Sequence, residues 1–216
     1  MKRWQQKCDA QKRIWIIGGS SGIGLCLVSL WLQQGFFVAV SSRNACKNEA
    51  LSALASQYPN KIFCVDVDVS NQADLQKASD SVWQLWGGID WCMYNAGAYE
   101  VMRFDRWNSE AFVRMNETNY MGAVRFSTLV APKMRLAFGI QVQVINHGFV
   151  KTRLTAKNNF AMPQLMSPEV AAQYIFDALV RSYRFELYFP FALRTFLRFL
   201  SIIPNTLALK ITKKML

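Results

Sequence analysis

The run Ile14-Trp15-Ile16-Ile17-Gly18-Gly19-Ser20-Ser21-Gly22-Ile23-Gly24 sets three spaced glycines between a short apolar stretch and a helix-forming one. That context suits a loop that cradles a pyrophosphate. Gly18 permits a tight turn, Gly22 lets the backbone approach the phosphates, and Gly24 lets the following helix lie close to the preceding strand. Ser20, Ser21 and Ile23 complete the loop. The first turn of the helix then presents free N–H groups and the positive end of its dipole to the anion. The spacing is G-x-x-x-G-x-G rather than the commoner G-x-G-x-x-G.

Elements that would position this loop can be read on both sides of it. Arg13–Ile17 is a buried strand, Gly22–Gln34 a helix closed by Gly35, and Phe36–Val40 a second strand. A helix over Asn44–Gln57 stops before Pro59, and Lys61–Val65 is a third strand. Asn71–Trp86 is a helix halted by Gly87-Gly88, and Ile89–Tyr94 a fourth strand. One long helix is expected from Ser109 to Ala137, a strand over Ile140–Ile145, and a helix opened by Ser167-Pro168-Glu169 and running to Arg181. Phe185–Phe189 is the last strand. Strands alternating with helices of this length predict an α/β fold with a doubly wound, Rossmann-like parallel sheet and right-handed crossovers. It is read as a single domain over residues 1–190, followed by a basic amphipathic tail over 191–216. At the end of the second strand stands Ser41-Ser42-Arg43. An acid there would bind a ribose 2′-hydroxyl and favour NAD(H). A guanidinium pairs with a 2′-phosphate instead, so NADP(H) is the expected cofactor and NAD(H) the lesser alternative.

Composition excludes several other chemistries. Five cysteines are scattered without a C-x-x-C pair, and the lone His147 has no cysteine near it, so no metal site is expected and a reducing, cytoplasmic setting fits. Neither a secretory leader nor an uncharged run long enough to span a bilayer is visible. The net charge of +11 is concentrated at the ends. Residues 1–13 hold five basic groups and one acidic, and residues 181–216 hold seven basic and one acidic. The near-neutral body carries no recognition motif, which argues against nucleic-acid readout. The tail mixes large apolar residues with Arg194, Arg198, Lys210, Lys213 and Lys214 around a break at Pro204. It reads either as a helix packed on the domain or as one lying peripherally on an anionic membrane.

Further motifs agree with the glycine loop. Tyr94-Asn95-Ala96-Gly97 ends the fourth strand, and Asp66-Val67-Asp68-Val69-Ser70 follows the third. Asn119-Tyr120-Met121-Gly122 lies inside the long helix, and Gly148-Phe149-Val150-Lys151-Thr152 follows the strand after it. Together these resemble the short-chain dehydrogenase/reductase family from Arg13 to Phe189. The resemblance implies an NADP(H)-dependent oxidoreductase of small carbonyl or alcohol substrates, with a lipid-like substrate as a further suggestion of Phe160, Met162-Pro163 and the tail. It implies that Asp68 and Val69 hold the adenine, and that Asn95, Ala96 and Gly97 support the central strand and the ribose. Gly148, Val150 and Thr152 would line the nicotinamide side, and Asn119 would bend the helix and position a water in a proton relay.

One part of that family's pattern is missing. Its hydride chemistry uses a tyrosine with a lysine four residues later, the lysine lowering the phenol pKa, and a serine that orients the carbonyl. None of the seven tyrosines has a lysine at that spacing. Ala131-Pro132-Lys133-Met134 runs almost directly into Phe138-Gly139-Ile140-Gln141-Val142, which resembles the strand after the catalytic helix. About 35–45 residues, the size of one βα unit, are absent relative to the family norm. Of the catalytic set only Asn119 remains. The expected function is therefore a catalytically impaired oxidoreductase, with His147 (four residues before Lys151) as a candidate substitute acid. The alternatives are a non-catalytic NADP(H)-binding regulatory module or an inactive deletion product. The strand at Ile140–Ile145 is expected to close the gap by pairing directly with Ile89–Tyr94, giving the order 3-2-1-4 and then the late strands. The absent helix normally contributes to the family's dimer interface, which leaves the oligomeric state open.

Overall fold

Four short apolar runs become four parallel strands: β1 (Arg13–Ile17), β2 (Phe37–Ser42), β3 (Ile62–Asp66) and β4 (Trp91–Tyr94). Strands covered on both faces read as continuous apolar runs, and Ile14, Trp15, Ile16 and Ile17 are all buried. These strands belong to a computed structural model that describes residues 12–135, 140–182 and 184–213. The basic N-terminal residues before Lys12, Cys8, Lys214 and the expected helix end at Ala137 lie outside the described residues. The chain forms two compact units, Met1–Ile140 and Gln141–Leu216.

In the first unit the sheet order is β3-β2-β1-β4, with Arg13 opposite Phe37 and Ile14 opposite both Val38 and Trp91. The chain winds outward from β1 to β3 and then returns to the other side of β1. The strand order therefore reverses between β1 and β4, and in open α/β sheets ligands bind in the crevice at the carboxyl ends of the strands flanking such a reversal. Three helices alternate with the strands: α1 (Gly22–Gln33), α2 (Glu49–Gln57) and α3 (Gln72–Trp86). α1 turns Ile23, Leu27, Val28, Trp31 and Leu32 inward, one stripe of a 3.6-residue period. Asn48 and Asn71 cap α2 and α3 by accepting from Leu51 N at 3.0 Å and Ala73 N at 2.9 Å. α2 starts later than expected, because Asn44–Asn48 is held in a turn whose Cys46 N–H donates to Asp66 Oδ1 at 2.9 Å. The bidentate pair of Arg13 and Asp90, at 3.0 Å for both side-chain bonds, clamps the start of β1 to the segment before β4.

The expected long helix is interrupted. It consists of α4 (Ser109–Asn116), a π-helical turn at Glu117–Met121, and α5 (Gly122–Arg135). On the sheet, Trp15, Ile17, Val67, Val69, Leu75, Val82, Phe126 and Val130 form one apolar cluster.

The second unit holds β5 (Val144–His147), α6 (Pro168–Arg181) and β6 (Glu186–Phe189), followed by α7 (Phe191–Ile202) and α8 (Asn205–Lys213). The expectation for the late strands is corrected here. The order β3-β2-β1-β4 holds, but β5 does not pair with β4; it pairs with β6 in a separate two-stranded parallel sheet, Val144 opposite Glu186 and His147 opposite Phe189. Residues 140–143 are not strand. The physical reason is local supply. The β5–α6–β6 crossover brings a partner within its own unit, and Val144 N and Gly148 N donate to Phe185 O and Phe189 O at 2.7 and 2.8 Å. The backbone groups of β5 are thus satisfied without β4.

Candidate functional site

The glycine turn sits at the carboxyl end of β1, where the strand order reverses. Gly18 has φ 85, donates from N to Ser41 O at 2.7 Å, and accepts at its carbonyl from Asn95 Nδ2 at 2.9 Å. A Cβ at Gly18 would lie 2.6 Å from Ala96 N, and one at Gly24 would lie 2.1 Å from Gly18 O. Both glycines are therefore required by close backbone approach. Ser21 precedes α1 in extended conformation (φ −161, ψ 166) and makes no side-chain cap, and the first turn carries no acid. Uncapped N–H groups at a helix start, with no carboxylate competing, fit a phosphate. Ile23 is buried and anchors the turn, while Ser21 is exposed and Ser20 partly so. Asn48 Nδ2 donates to Ser20 O at 3.3 Å.

Arg43 lies exposed just past β2. Asp68 follows β3, and its Oδ1 accepts from Ser70 Oγ at 2.6 Å and Ser70 N at 2.9 Å. These bonds, reinforced by the positive charge of Arg43, hold the Asp68 carboxyl below the usual carboxylate range despite its partial burial. Val69 is buried and belongs to the apolar cluster.

The end of β4 is fastened on two sides. Asn95 N donates to Ile17 O at 2.9 Å while its side chain grips Gly18. Beyond Ala96 and the exposed Gly97, Asn119 accepts from Ala98 N at 2.6 Å and donates to Ala98 O at 2.9 Å. Both polar atoms of Asn119 thus bond the Ala98 backbone, tying the β4 loop to the π-helical turn. Tyr94 donates its phenol to Thr118 O in the same turn. Arg125 Nη2 pairs with Glu117 at 2.7 Å.

Burial pushes the Tyr94 phenol up to about 12. It likewise pushes Cys92 to about 12 and Cys64 to about 11. In the unfolded chain these groups ionise near 10.0 for the phenol and 9.0 for the thiols. The folded state therefore keeps protons that the unfolded state releases. The stability this represents is complete below pH 9 and lost between about pH 9 and 12. Thermal melts should show a flat Tm from pH 7 to 8.5 and a steady fall above pH 9; a Tm still flat at pH 10.5 would contradict it.

Three further candidates belong to the second unit. Gly148 closes β5. Val150 is 1% exposed and bridges to Met166, and its carbonyl accepts from Thr155 Oγ1 at 2.6 Å. Thr152 N donates to Thr155 Oγ1 at 2.9 Å. His147 is exposed, with Nδ1 2.8 Å from Gly148 O, an arrangement satisfied when Nδ1 carries the proton.

The first unit thus brings Gly18–Gly24, Arg43, Asp68 and Asn95–Gly97 to the carboxyl ends of its strands, with Asn119 behind the β4 loop. Sequence reasoning missed Ser41, Asn48 and Tyr94 as supports. Asn48 was legible as a helix cap three residues before Leu51. The Ser41 and Tyr94 bonds depend on tertiary contacts.

A parallel sheet with a glycine turn at its reversal point defines a dinucleotide-fold α/β protein. Residues 12–139 match the family model described as short chain dehydrogenase. The chain belongs to the short-chain dehydrogenase family, whose members are oxidoreductases. It is 27% identical over 236 aligned positions to an uncharacterized oxidoreductase of Myxococcus xanthus, covering 89% of this chain and 92% of the relative. It spans 50% of the length of 3β-hydroxysteroid dehydrogenase 2 of Eggerthella lenta, at 30% identity over 61% of this chain. Among solved structures, a short-chain dehydrogenase from Streptomyces avermitilis superposes with a TM-score of 0.76 at 18% identity, covering 94% of this chain and 96% of that one. L-sorbose reductase from Gluconobacter frateurii, solved with NADPH and L-sorbose, gives 0.70 at 21% identity, covering 83% of this chain and 94% of that one. No helix among the described residues is long and apolar enough to cross a membrane.

Proposed function

We propose that this chain binds NADP(H) at the Gly18–Gly24 turn and performs the family's hydride chemistry slowly or not at all. The observation that carries the reading is an asymmetry. The phosphate cradle is complete, from Gly18 and Gly24 to the uncapped start of α1. The tyrosine–lysine pair that would donate the proton is missing from the sequence. Alignment with the Myxococcus relative supports a missing segment: its 236 positions exceed the 216 residues of this chain, so residues of the relative stand opposite gaps.

When bound, a nicotinamide cofactor supplies or accepts the hydride. The chain's own residues do the rest. The N–H groups at the start of α1 hold the pyrophosphate, Arg43 holds the 2′-phosphate, and Asp68 and Val69 flank the adenine. Asn95 keeps the turn and β4 in register, and Asn119 positions the loop that carries Gly97. The family resemblance, rather than any placement of the second unit, is what would give Gly148, Val150 and Thr152 the nicotinamide side. General-acid assistance is worth about 10²–10⁴-fold, so its loss leaves a slow reductase of a small carbonyl compound, or a binding module.

Titration of NADPH and NADH by nicotinamide fluorescence, followed by turnover with a panel of aldehydes and ketones, tests this. NADPH should bind more tightly than NADH, with turnover at least about a hundredfold below an ordinary rate. Arg43→Glu should weaken NADPH about tenfold to a hundredfold and leave NADH within a few-fold, since one charge-assisted pair is removed. Tighter binding of NADH by the unaltered protein, or full-rate turnover, would overturn the proposal.

A further inference from the structure

The sequence from Leu187 to Leu216 contains no aspartate or glutamate but includes Arg194, Arg198, Lys210, Lys213 and Lys214. Much of it folds as α7 and α8, divided at Ile203-Pro204. On α7, Phe191, Phe199 and Ile202 stand eight and eleven residues apart, which aligns them along one stripe of a 3.6-residue helix. They are 73%, 53% and 82% exposed. Arg194 and Arg198, three and seven residues after Phe191, run along one flank of the stripe. The Arg194 guanidinium lies 4.6 Å over the Tyr188 ring, and Arg198 is exposed. α8 adds Leu209, 69% exposed, and the exposed Lys210.

We propose that α7 lies flat on an anionic lipid surface. The Phe191–Phe199–Ile202 stripe enters the boundary between headgroups and acyl chains, and Arg194 and Arg198 meet the headgroup phosphates. An apolar stripe flanked by cations with no carboxylate is the pattern of an interfacial helix. Arginines beside the stripe can reach the phosphates while their methylenes stay on apolar surface. Charge selects the lipid over a second copy of the chain. Two copies meeting on this face would bring Arg194 and Arg198 of each against the other, with no acid on the helix to offset them. Burying Phe191 and Ile202 gains nothing on a nucleic acid backbone.

Sedimentation of the full chain with vesicles tests the assignment, with a readout independent of cofactor binding or turnover. Vesicles of phosphatidylcholine with about 30% phosphatidylserine should retain the protein, and phosphatidylcholine alone should not. Retention should fall as NaCl rises from about 0.05 to about 0.5 M. Arg198→Gln with Lys210→Gln should lower partitioning about twenty-five-fold, at about fivefold per charge. Phe191→Ser with Ile202→Ser should abolish it while circular dichroism stays unchanged. Failure of the unaltered protein to sediment with anionic vesicles at low salt would overturn the proposal. So would equal retention on neutral vesicles. A dimer by light scattering that Ile202→Ser dissociates, without vesicle binding, would assign the face to a second copy instead.

Discussion

A Gly24→Ala protein is expected to melt about 6–12 °C below the unaltered chain and to bind NADPH at least tenfold more weakly. The added methyl would sit 2.1 Å from Gly18 O and 2.7 Å from Asn95 Nδ2. A carbon cannot approach a carbonyl oxygen that closely, and the nearest obstacle is backbone rather than a side chain that can swing away. Either α1 slides along β1 or the Gly18 turn opens. Overpacking of this kind costs about 1–3 kcal/mol, and loss of the Asn95–Gly18 hydrogen bond adds about 1 kcal/mol. The affinity loss follows from the same movement, since the N–H groups at the start of α1 are aimed by the turn that shifts. Calorimetry and fluorescence titration on one preparation check both halves. A variant with ordinary Tm and ordinary NADPH affinity would show that the turn has slack which these distances deny.

The second large effect is expected in the sheet. Trp15 is fully buried, meets Phe126 edge-on at 5.0 Å, and donates from Nε1 to the buried Ser41 Oγ at 3.0 Å. Trp15→Ala should cost about 3–5 kcal/mol in urea unfolding, a large share of the 5–15 kcal/mol typical of a whole domain. Trp15→Phe keeps an aromatic face toward Phe126 but leaves the Ser41 hydroxyl without its donor. It should cost about 1–3 kcal/mol. The difference between the two separates packing from the hydrogen bond. The outcome also bears on the glycine turn, because Ser41 accepts the Gly18 N–H at its own carbonyl, 2.7 Å away. An alanine variant losing less than about 1 kcal/mol would mean that the β1 core is not packed around this ring.

Much of this organisation was legible from local chemistry. β1 has the bounds that its apolar run and following glycines predict, and α3 begins at its asparagine cap and ends at Gly87. The glycine turn was readable because close backbone approach leaves no room for a side chain at Gly18 or Gly24, and the β4 end through the family resemblance. The interruption of the long helix was implied only by the family resemblance, through a bend at Asn119, and left no mark in local composition. Glu117-Thr118-Asn119-Tyr120-Met121 contains no proline or glycine. Its widened turn instead accompanies the Tyr94–Thr118 and Asn119–Ala98 bonds, which link residues 24 and 21 positions apart. The pairing of β5 was misjudged for a related reason. An unpaired strand is costly, but pairing is a competition between edges, and the neighbour reached through α6 satisfies the strand.

Three of the bonds that shape the site come from carboxamides. Asn95 holds Gly18, Asn48 holds Ser20, and Asn119 holds Ala98. A carboxamide neither gains nor loses a proton in ordinary buffers, and added salt does not screen it as it screens an ion pair. These three bonds are therefore indifferent to acidity and ionic strength across the range where most cells live. At the turn, sensitivity to either would enter with a phosphate ligand whose second ionisation lies at about 6, and through the exposed guanidinium that would meet it. A turn held by neutral bonds and receiving a variable charged guest would make affinity there a reporter of the guest's own ionisation.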